Sequence, residues 1–323
     1  MRVKYIDAAK GHLMLLVILG HILIVLNPDY TKLYCTLPQA FIYTFHMPAY
    51  FILHGLVFHV KKWHDQSAQK FVMHRLRTLI VPYCFFEVIG IIWKMIFFRQ
   101  SFLTGVYNLI TIRCNVGADW FLVAMFMGGL LFLIYVKCQN RVYGIASTIA
   151  CFILPMVMSG NQLLIVLGRG LLAYAFIMCG CMLRKLFLNE KTKTLAWLFV
   201  SLVVTAWVAV INLKFGENDF YSCTIHNPLA FCVGGISGTI LIISLSRKLL
   251  CELITEVIGR HTLTIMGTHQ LAIYLVTDLF PAMKNGTLVH GLMLALTIAI
   301  FEVPVVWFID GYLRSFTGKH ARN

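Results

Sequence analysis

Apolar runs of about twenty residues recur along almost the whole chain, and that rhythm leaves few folds open. About 20 helical residues cross a hydrocarbon core of about 30 Å, and backbone in lipid must satisfy its own hydrogen bonds. Ten such segments are read, at about 8–26, 41–60, 78–98, 119–136, 142–158, 163–183, 195–213, 228–246, 262–280 and 287–309. Composition agrees, since the 323 residues are 59% hydrophobic and only 12% charged, against roughly a quarter charged in a soluble domain. That is too little polar surface to coat a water-soluble globule. A cytosolic enzyme, a disordered regulator and a secreted disulfide scaffold are excluded. No polar block is long enough for a separate soluble domain, so residues 1–323 read as a single all-α, polytopic membrane domain in the lipid bilayer.

The net charge of +14 would suit nucleic acid, but the basic residues sort by loop. Of 27 Lys and Arg, twenty fall on one side of the ten-span plan, at both termini and in alternate loops. Five (Lys32, Arg99, Arg113, Lys214 and Lys284) fall on the other side, while Lys94 and Arg169 lie within spans. Cytoplasmic loops carry the excess of Lys and Arg. The split therefore predicts about ten helices with both termini in the cytoplasm, and no nucleic-acid partner. The first segment is interrupted by Gly20-His21 and followed by Asn27-Pro28-Asp29, not by a small-residue cleavage site. It is expected to be a retained helix. The ten cysteines show no CxxC pair and no zinc spacing, so no metal is expected. Cys35 and Cys223 both fall in predicted external loops, which leaves room for one disulfide.

Charged and imidazole groups within spans usually face the protein interior or a cavity. Here the main ones are His21, His46, His54, Glu87, Lys94, Arg169, His269, Asp278 and Glu302. The first helix is the most informative. Asp7 and Lys10 form an i,i+3 pair at its start. Lys10 and His21 are 11 residues apart, almost three full turns, so both project from one face with a rise of about 16 Å between them. Asp7 lies within about 40° of that face. A polar stripe thus runs from the cytoplasmic mouth to mid-membrane. Geometry alone fits a snorkelling Lys10 and a packing histidine equally well.

Asp7-x-x-Lys10 followed by His21 resembles the opening motif of membrane-bound acyltransferase family 3. Further matches follow in order. Phe45-His46-Met47-Pro48-Ala49-Tyr50-Phe51 resembles the family's Phe-His-Met-Pro-x-Phe-Phe, and Arg75-Leu76-Arg77 with Pro82-Tyr83 resembles its Arg-x-Arg segment. Trp120-Phe121-Leu122, Gly259 to Leu263 running on to His269, and Glu302-x-Pro304 complete the set. The resemblance spans the whole chain. There are departures: His54 stands where Ser is usual, Thr262 replaces Ser, and Lys10 replaces the commoner Arg. The last exchanges a forked contact for a point charge.

The resemblance implies a multi-pass O-acyltransferase of the bacterial inner membrane, similar to small sugar O-acetyltransferases. Such an enzyme moves acetyl from cytoplasmic acetyl-CoA to a sugar hydroxyl of a surface polysaccharide or lipid-linked glycan, with no bound cofactor. Acyl transfer to a hydroxyl needs a base and a group for the developing oxyanion, and imidazole suits the base. His21 is the expected base, assisted by His46 and Glu302. Lys10, Arg75, Arg77 and Trp120 are expected to hold the donor, with Asp7, His269 and Arg169 in support. Structural readings stand beside these: lipid headgroups for Arg75 and Arg77, interfacial anchoring for Trp120 and an interhelical hydrogen bond for Glu302. No Walker A, GxGxxG or DxD-type motif and no serine nucleophile elbow is present. The competing function is a proton-coupled transporter or flippase of a glycan or small anion. Internal His, Arg and Glu would suit it, but the two halves show no inverted repeat.

Overall fold

The computed structural model describes residues 4–158, 160–188, 195–248 and 252–317. The chain is 81% helical, with no strand among the described residues. In chain order the helices are α1 (Lys4–Leu26), α2 (Leu33–Tyr43), α3 (His46–Val57), α4 (Val60–Asp65), α5 (Ala68–Arg75) and α6 (Val81–Phe98). Then come α7 (Phe102–Ile110), α8 (Trp120–Cys138), α9 (Arg141–Val157), α10 (Gln162–Met182) and α11 (Arg184–Phe187). The last five are α12 (Leu195–Phe215), α13 (Pro228–Ser246), α14 (Glu252–Arg260), α15 (Thr262–Leu279) and α16 (Leu288–Tyr312).

Every predicted segment is met by a helix, but eight stretches are long and apolar enough to cross a membrane: α1, α2–α3, α5–α6, α8, α10, α12, α13 and α16. The other two miss for different reasons. α9 is apolar but only 17 residues long. α15 carries Thr264, Thr268, His269 and Gln270 in mid-run. Arg2, Lys191, Lys193, Lys319 and Arg322, which belong to the charge split, lie outside the described residues. Cys35 and Cys223 are both free and buried, so the disulfide that their loops left room for is not formed.

Two prolines shape the helices that reach the site. Pro48 has no N–H, and its ring would clash with the carbonyl of Thr44 in a continuous helix. The chain breaks there, between α2 and α3, and His46 opens α3. Pro82 acts the same way on Thr78. The chain answers with a π turn over Leu76–Ile80, in which the Val81 N–H reaches the Leu76 carbonyl. Such turns re-aim side chains within a helix.

Reciprocal glycines draw the helices together. A Cβ on Gly11 would lie 1.9 Å from the Thr255 carbonyl oxygen, and one on Gly259 1.8 Å from that of Asp7. Only glycine permits this contact of α1 with α14. Gly55 and Gly180 do the same for α3 and α10, at 1.9 Å from Ile177 O and 2.0 Å from Ile52 O. By contrast, only 28% and 22% of the apolar windows of α12 and α16 are buried. These two helices carry the outer, lipid-facing apolar surface of the bundle.

Buried Glu87 of α6 has a structural task. Its carboxylate accepts from the Asn115 backbone N–H at 2.7 and 2.9 Å, the Asn115 amide at 2.8 Å and the Val116 N–H at 3.2 Å. This clamps the loop that leads into α8. Lys284, beyond the end of α15, forms an ion pair at 2.9 Å with Asp278 in its last turn.

Candidate active site

A cavity of about 600 Å³ lies along one face of α1. Lys10, Met14, Val17, His21 and Ile24 line it, at alternating intervals of four and three residues. That is one face of a helix, about 21 Å long from Lys10 to Ile24. The stripe read from the sequence is therefore a cavity wall. Gln39, Tyr43, His46, Tyr50 and His54 line the facing wall at intervals of three or four residues, carried across the Pro48 break. Thr262, Met266 and Gln270 of α15 supply a third wall, and Trp120, Phe121 and Met125 of α8 a fourth. The loop 217–221 closes the end opposite Lys10.

At the middle of the α1 face, the Gln270 amide nitrogen lies 3.2 Å from both ring nitrogens of His21. Gly117 (φ +92°) makes room, since a Cβ there would lie 2.0 Å from Gln270 Oε1. That oxygen is buried and has no hydrogen-bond partner. The ring of His269 lies 5.3 Å from that of His21. His269 Nδ1 donates to the Ile265 carbonyl at 2.7 Å, so its Nε2 holds a lone pair, and this nitrogen is buried without a partner. His46 follows the same rule. Nδ1 donates to Ile42 O at 2.9 Å, leaving a lone pair on Nε2.

The Lys10 end is cationic. Lys10 stands 3.9 Å from Asp7 Oδ1, and the Tyr50 hydroxyl donates to the Lys10 carbonyl at 3.1 Å. Arg75 is buried and does not itself line the cavity. It lies over the Phe58 and Phe71 rings, 5.5 and 5.1 Å from their centroids, and donates through Nη2 to His54 Nε2 at 2.8 Å. His54 therefore carries its own N–H on Nδ1 and brings the influence of Arg75 to the cavity wall. Arg77, one residue into the π turn, is exposed and outside the cavity.

Two expected site residues take structural positions. Arg169 is buried behind the cavity, donating to Tyr221 O at 2.6 Å, with its guanidinium 4.1 Å from the Tyr221 ring centroid and 5.4 Å from that of Trp120. It holds the 217–221 loop and the lining residue Trp120 in place. Glu302 does not reach the cavity either. Its Oε2 accepts from Thr268 at 2.8 Å, its Oε1 is buried without a partner, and it joins α16 to α15. The Asp310 carboxylate, bonded to Thr264 at 2.7 Å and to His261, adds a second polar tie between these helices. Gln270, Gln39 and the 217–221 loop were not singled out from the sequence. The one signal for Gln270 was a polar His269-Gln270 pair inside an apolar run.

Fold and site together define a multi-pass membrane protein whose helices enclose an imidazole-lined cavity with charged groups at its ends. The chain matches the family model described as an acyltransferase domain over residues 3–309. It belongs to that family, membrane acyltransferase family 3. No curated protein and no solved structure matches it.

Proposed function

We propose that this acyltransferase moves an acetyl group from acetyl-CoA, presented at the Lys10 end of the cavity, to a sugar hydroxyl of a glycan entering at the 217–221 end. One observation carries the reading: a single cavity along the α1 face holds a cation at one end and an imidazole about 16 Å further along the helix. The charge split of the loops supports a cytoplasmic Lys10 end, and hence a bacterial inner-membrane enzyme with donor and acceptor on opposite faces.

The chemistry follows from a neutral His21. Its lone-pair nitrogen takes the proton of the acceptor hydroxyl as the oxygen attacks the thioester carbonyl carbon. The tetrahedral oxyanion collapses, the C–S bond breaks, and the imidazolium returns the proton to the leaving thiolate. The products are an ester and free CoA. For this, the other ring nitrogen must carry the N–H and have an acceptor. A half-turn of the Gln270 carboxamide supplies one, exchanging its donor for the oxygen that is otherwise unpartnered. Lys10 and exposed Arg77 suit the phosphates of the donor, and Arg75 acts through His54.

Purified protein in nanodiscs, given acetyl-CoA labelled in the acetyl group and a surface-glycan fraction, tests the reading. Label should pass to base-labile ester. His21→Ala and His21→Asn should each lower transfer by roughly 10²–10⁴, the usual worth of a general base. Near-normal transfer by His21→Asn at normal abundance would remove His21 from the role and leave His46 as the base. Transport of intact glycan without label transfer would overturn the transferase reading.

A further inference from the structure

The cavity is electrically asymmetric. Lys10 is the one Lys or Arg that lines it among the described residues, and it stands at one end. Glu217 and Asp219 line the other end, and neither forms an ion pair among the described residues. Of the cations nearby, exposed Lys214 lies over the Phe215 ring, 5.4 Å from its centroid, and two others are otherwise engaged. Lys32 Nζ donates to the carbonyls of Leu26, Asn285 and Gly286 at 2.6–2.9 Å. Arg169 lies behind the Trp120 and Tyr221 rings and donates to the Tyr221 carbonyl. Asp219 accepts the Tyr221 and Ser222 N–H groups at 2.9 and 3.1 Å, which fixes its carboxylate in the loop.

A second, independent feature at this end points to a ligand. Gln39 lines the same cavity and is only 2% exposed. Its amide nitrogen donates to the Tyr30 hydroxyl at 3.4 Å, while its carbonyl oxygen has no partner. A buried acceptor of this kind carries a desolvation cost unless something donates to it. Tyr30, Tyr43 and Trp120 add flat apolar faces to the same region. An unpartnered amide oxygen and two carboxylates among aromatic faces suit a molecule rich in hydroxyl donors and C–H faces. Two carboxylates in a low-dielectric mouth repel any ligand that carries its own negative charge.

Resting on the transferase reading, we propose that the 217–221 end is an acceptor subsite that takes uncharged or cationic sugars and rejects acidic ones. Glu217, Asp219 and the Gln39 carbonyl receive the acceptor's hydroxyls, and the two carboxylates exclude uronates and phosphorylated sugars. The same charge keeps the anionic donor from entering at this end, so each substrate has its own entrance.

Two measurements on the full chain in nanodiscs separate this inference from the reading beneath it. In the first, Tyr30→Cys is modified with a cationic and an anionic methanethiosulfonate, read at residue 30 by peptide mass spectrometry and normalised to the rates with a free small thiol. The cationic reagent should be favoured roughly tenfold, and adding Glu217→Gln with Asp219→Asn should bring the ratio close to unity. An anionic preference, or a ratio indifferent to those substitutions, overturns the charge selection whatever the transfer activity. In the second, labelled acetyl-CoA is offered with equimolar methyl glucoside and methyl glucuronide, which differ in one carboxylate. Label should favour the glucoside, and the double variant should narrow the difference. Equal or greater label in the glucuronide overturns the subsite while the transferase reading stands. A charge-selective entrance with no label in either sugar or in a surface-glycan fraction overturns the transferase reading, and the acceptor assignment with it.

Discussion

Gln270 and His21 lie 249 residues apart in sequence, yet the side-chain amide of the first stands 3.2 Å from both ring nitrogens of the second. A carboxamide can either donate or accept, whereas a neutral imidazole must do one at each nitrogen. The orientation of Gln270 therefore decides which His21 nitrogen offers its lone pair to the cavity.

That gives a sharp pair of variants. Gln270→Glu presents oxygens alone, holding the His21 N–H and leaving the opposite lone pair free, so transfer should persist. Gln270→Leu removes the partner at similar volume, and kcat should fall by roughly tenfold or more, the rate equivalent of one hydrogen bond of about 1.5 kcal/mol. The KM for acetyl-CoA should change little. A Gln270→Leu enzyme with normal kcat would show that His21 needs no orienting partner.

Arg75 and Arg77 should separate, although the motif reads them together. Arg75→Ala strands the buried Nε2 of His54 and opens space between Phe58 and Phe71. It should cost about 1–3 kcal/mol of stability, seen as a lower thermal midpoint in detergent. Arg77→Ala removes an exposed charge. It should leave the midpoint in place while weakening acetyl-CoA binding and lessening its salt dependence. Equal destabilisation by the two would contradict the inward position of Arg75.

Gly11 and Gly259 fix the contact between α1 and α14. Gly11→Ala puts a methyl group 1.9 Å from the Thr255 carbonyl oxygen, so the helices must part. Overpacking of this kind costs about 1–3 kcal/mol. Because His21 is on α1 and Gln270 on α15, just after α14, transfer should fall along with thermal stability. Gly311→Ala is the control, since a Cβ there meets nothing within 4 Å.

Charge selection at the 217–221 end should depend on pH. Burial, and then the neighbouring Asp219 charge, hold the Glu217 carboxyl above the ordinary glutamate range. A raised acid keeps its proton to higher pH, so negative charge at the mouth is complete only above that raised value and is lost early as pH falls. Tyr30, Tyr43 and Asp219 line the same end, His226 packs on Gly216, and Lys214 is exposed nearby. The cationic-to-anionic labelling ratio of Tyr30→Cys should therefore decline on acidification. With Glu217→Gln the decline should be smaller. A ratio flat with pH in the parent protein would show that Glu217 does not set it.

The α1 face was legible because it needs only helical spacing: Lys10 and His21 project together in any α-helix, and the cavity follows that line. The apolar segments were legible for the same reason. Whatever depends on chains meeting from far apart was not. Arg75 read as a loop cation and is packed between aromatic rings, because the π turn that places it answers to Pro82. Arg169 read as a supporting residue, but its partners, the Tyr221 carbonyl and the Tyr221 and Trp120 rings, were not legible. The ten-segment reading met α9 and α15, which length and mid-helix polarity set apart from the eight long apolar stretches. For α15 that polarity is Thr268 tied to Glu302 and Gln270 at His21, contacts that no local pattern contains.

The seam between α1 and the α14–α15 pair also sets an order of events during synthesis. The helix that carries His21 is made well before Gly259, and His21 itself 249 residues before Gln270. At about 5–20 residues per second, roughly 12–50 s pass between the two. Through that interval the Lys10–His21 face has neither its glycine contact nor its amide. Its polar groups must be sheltered by the insertion machinery, by water at the membrane surface or by the helices already present. A nascent chain halted before Gly259 carries His21 without the residues that complete its surroundings, so the cavity comes into being only once α14 and α15 are made.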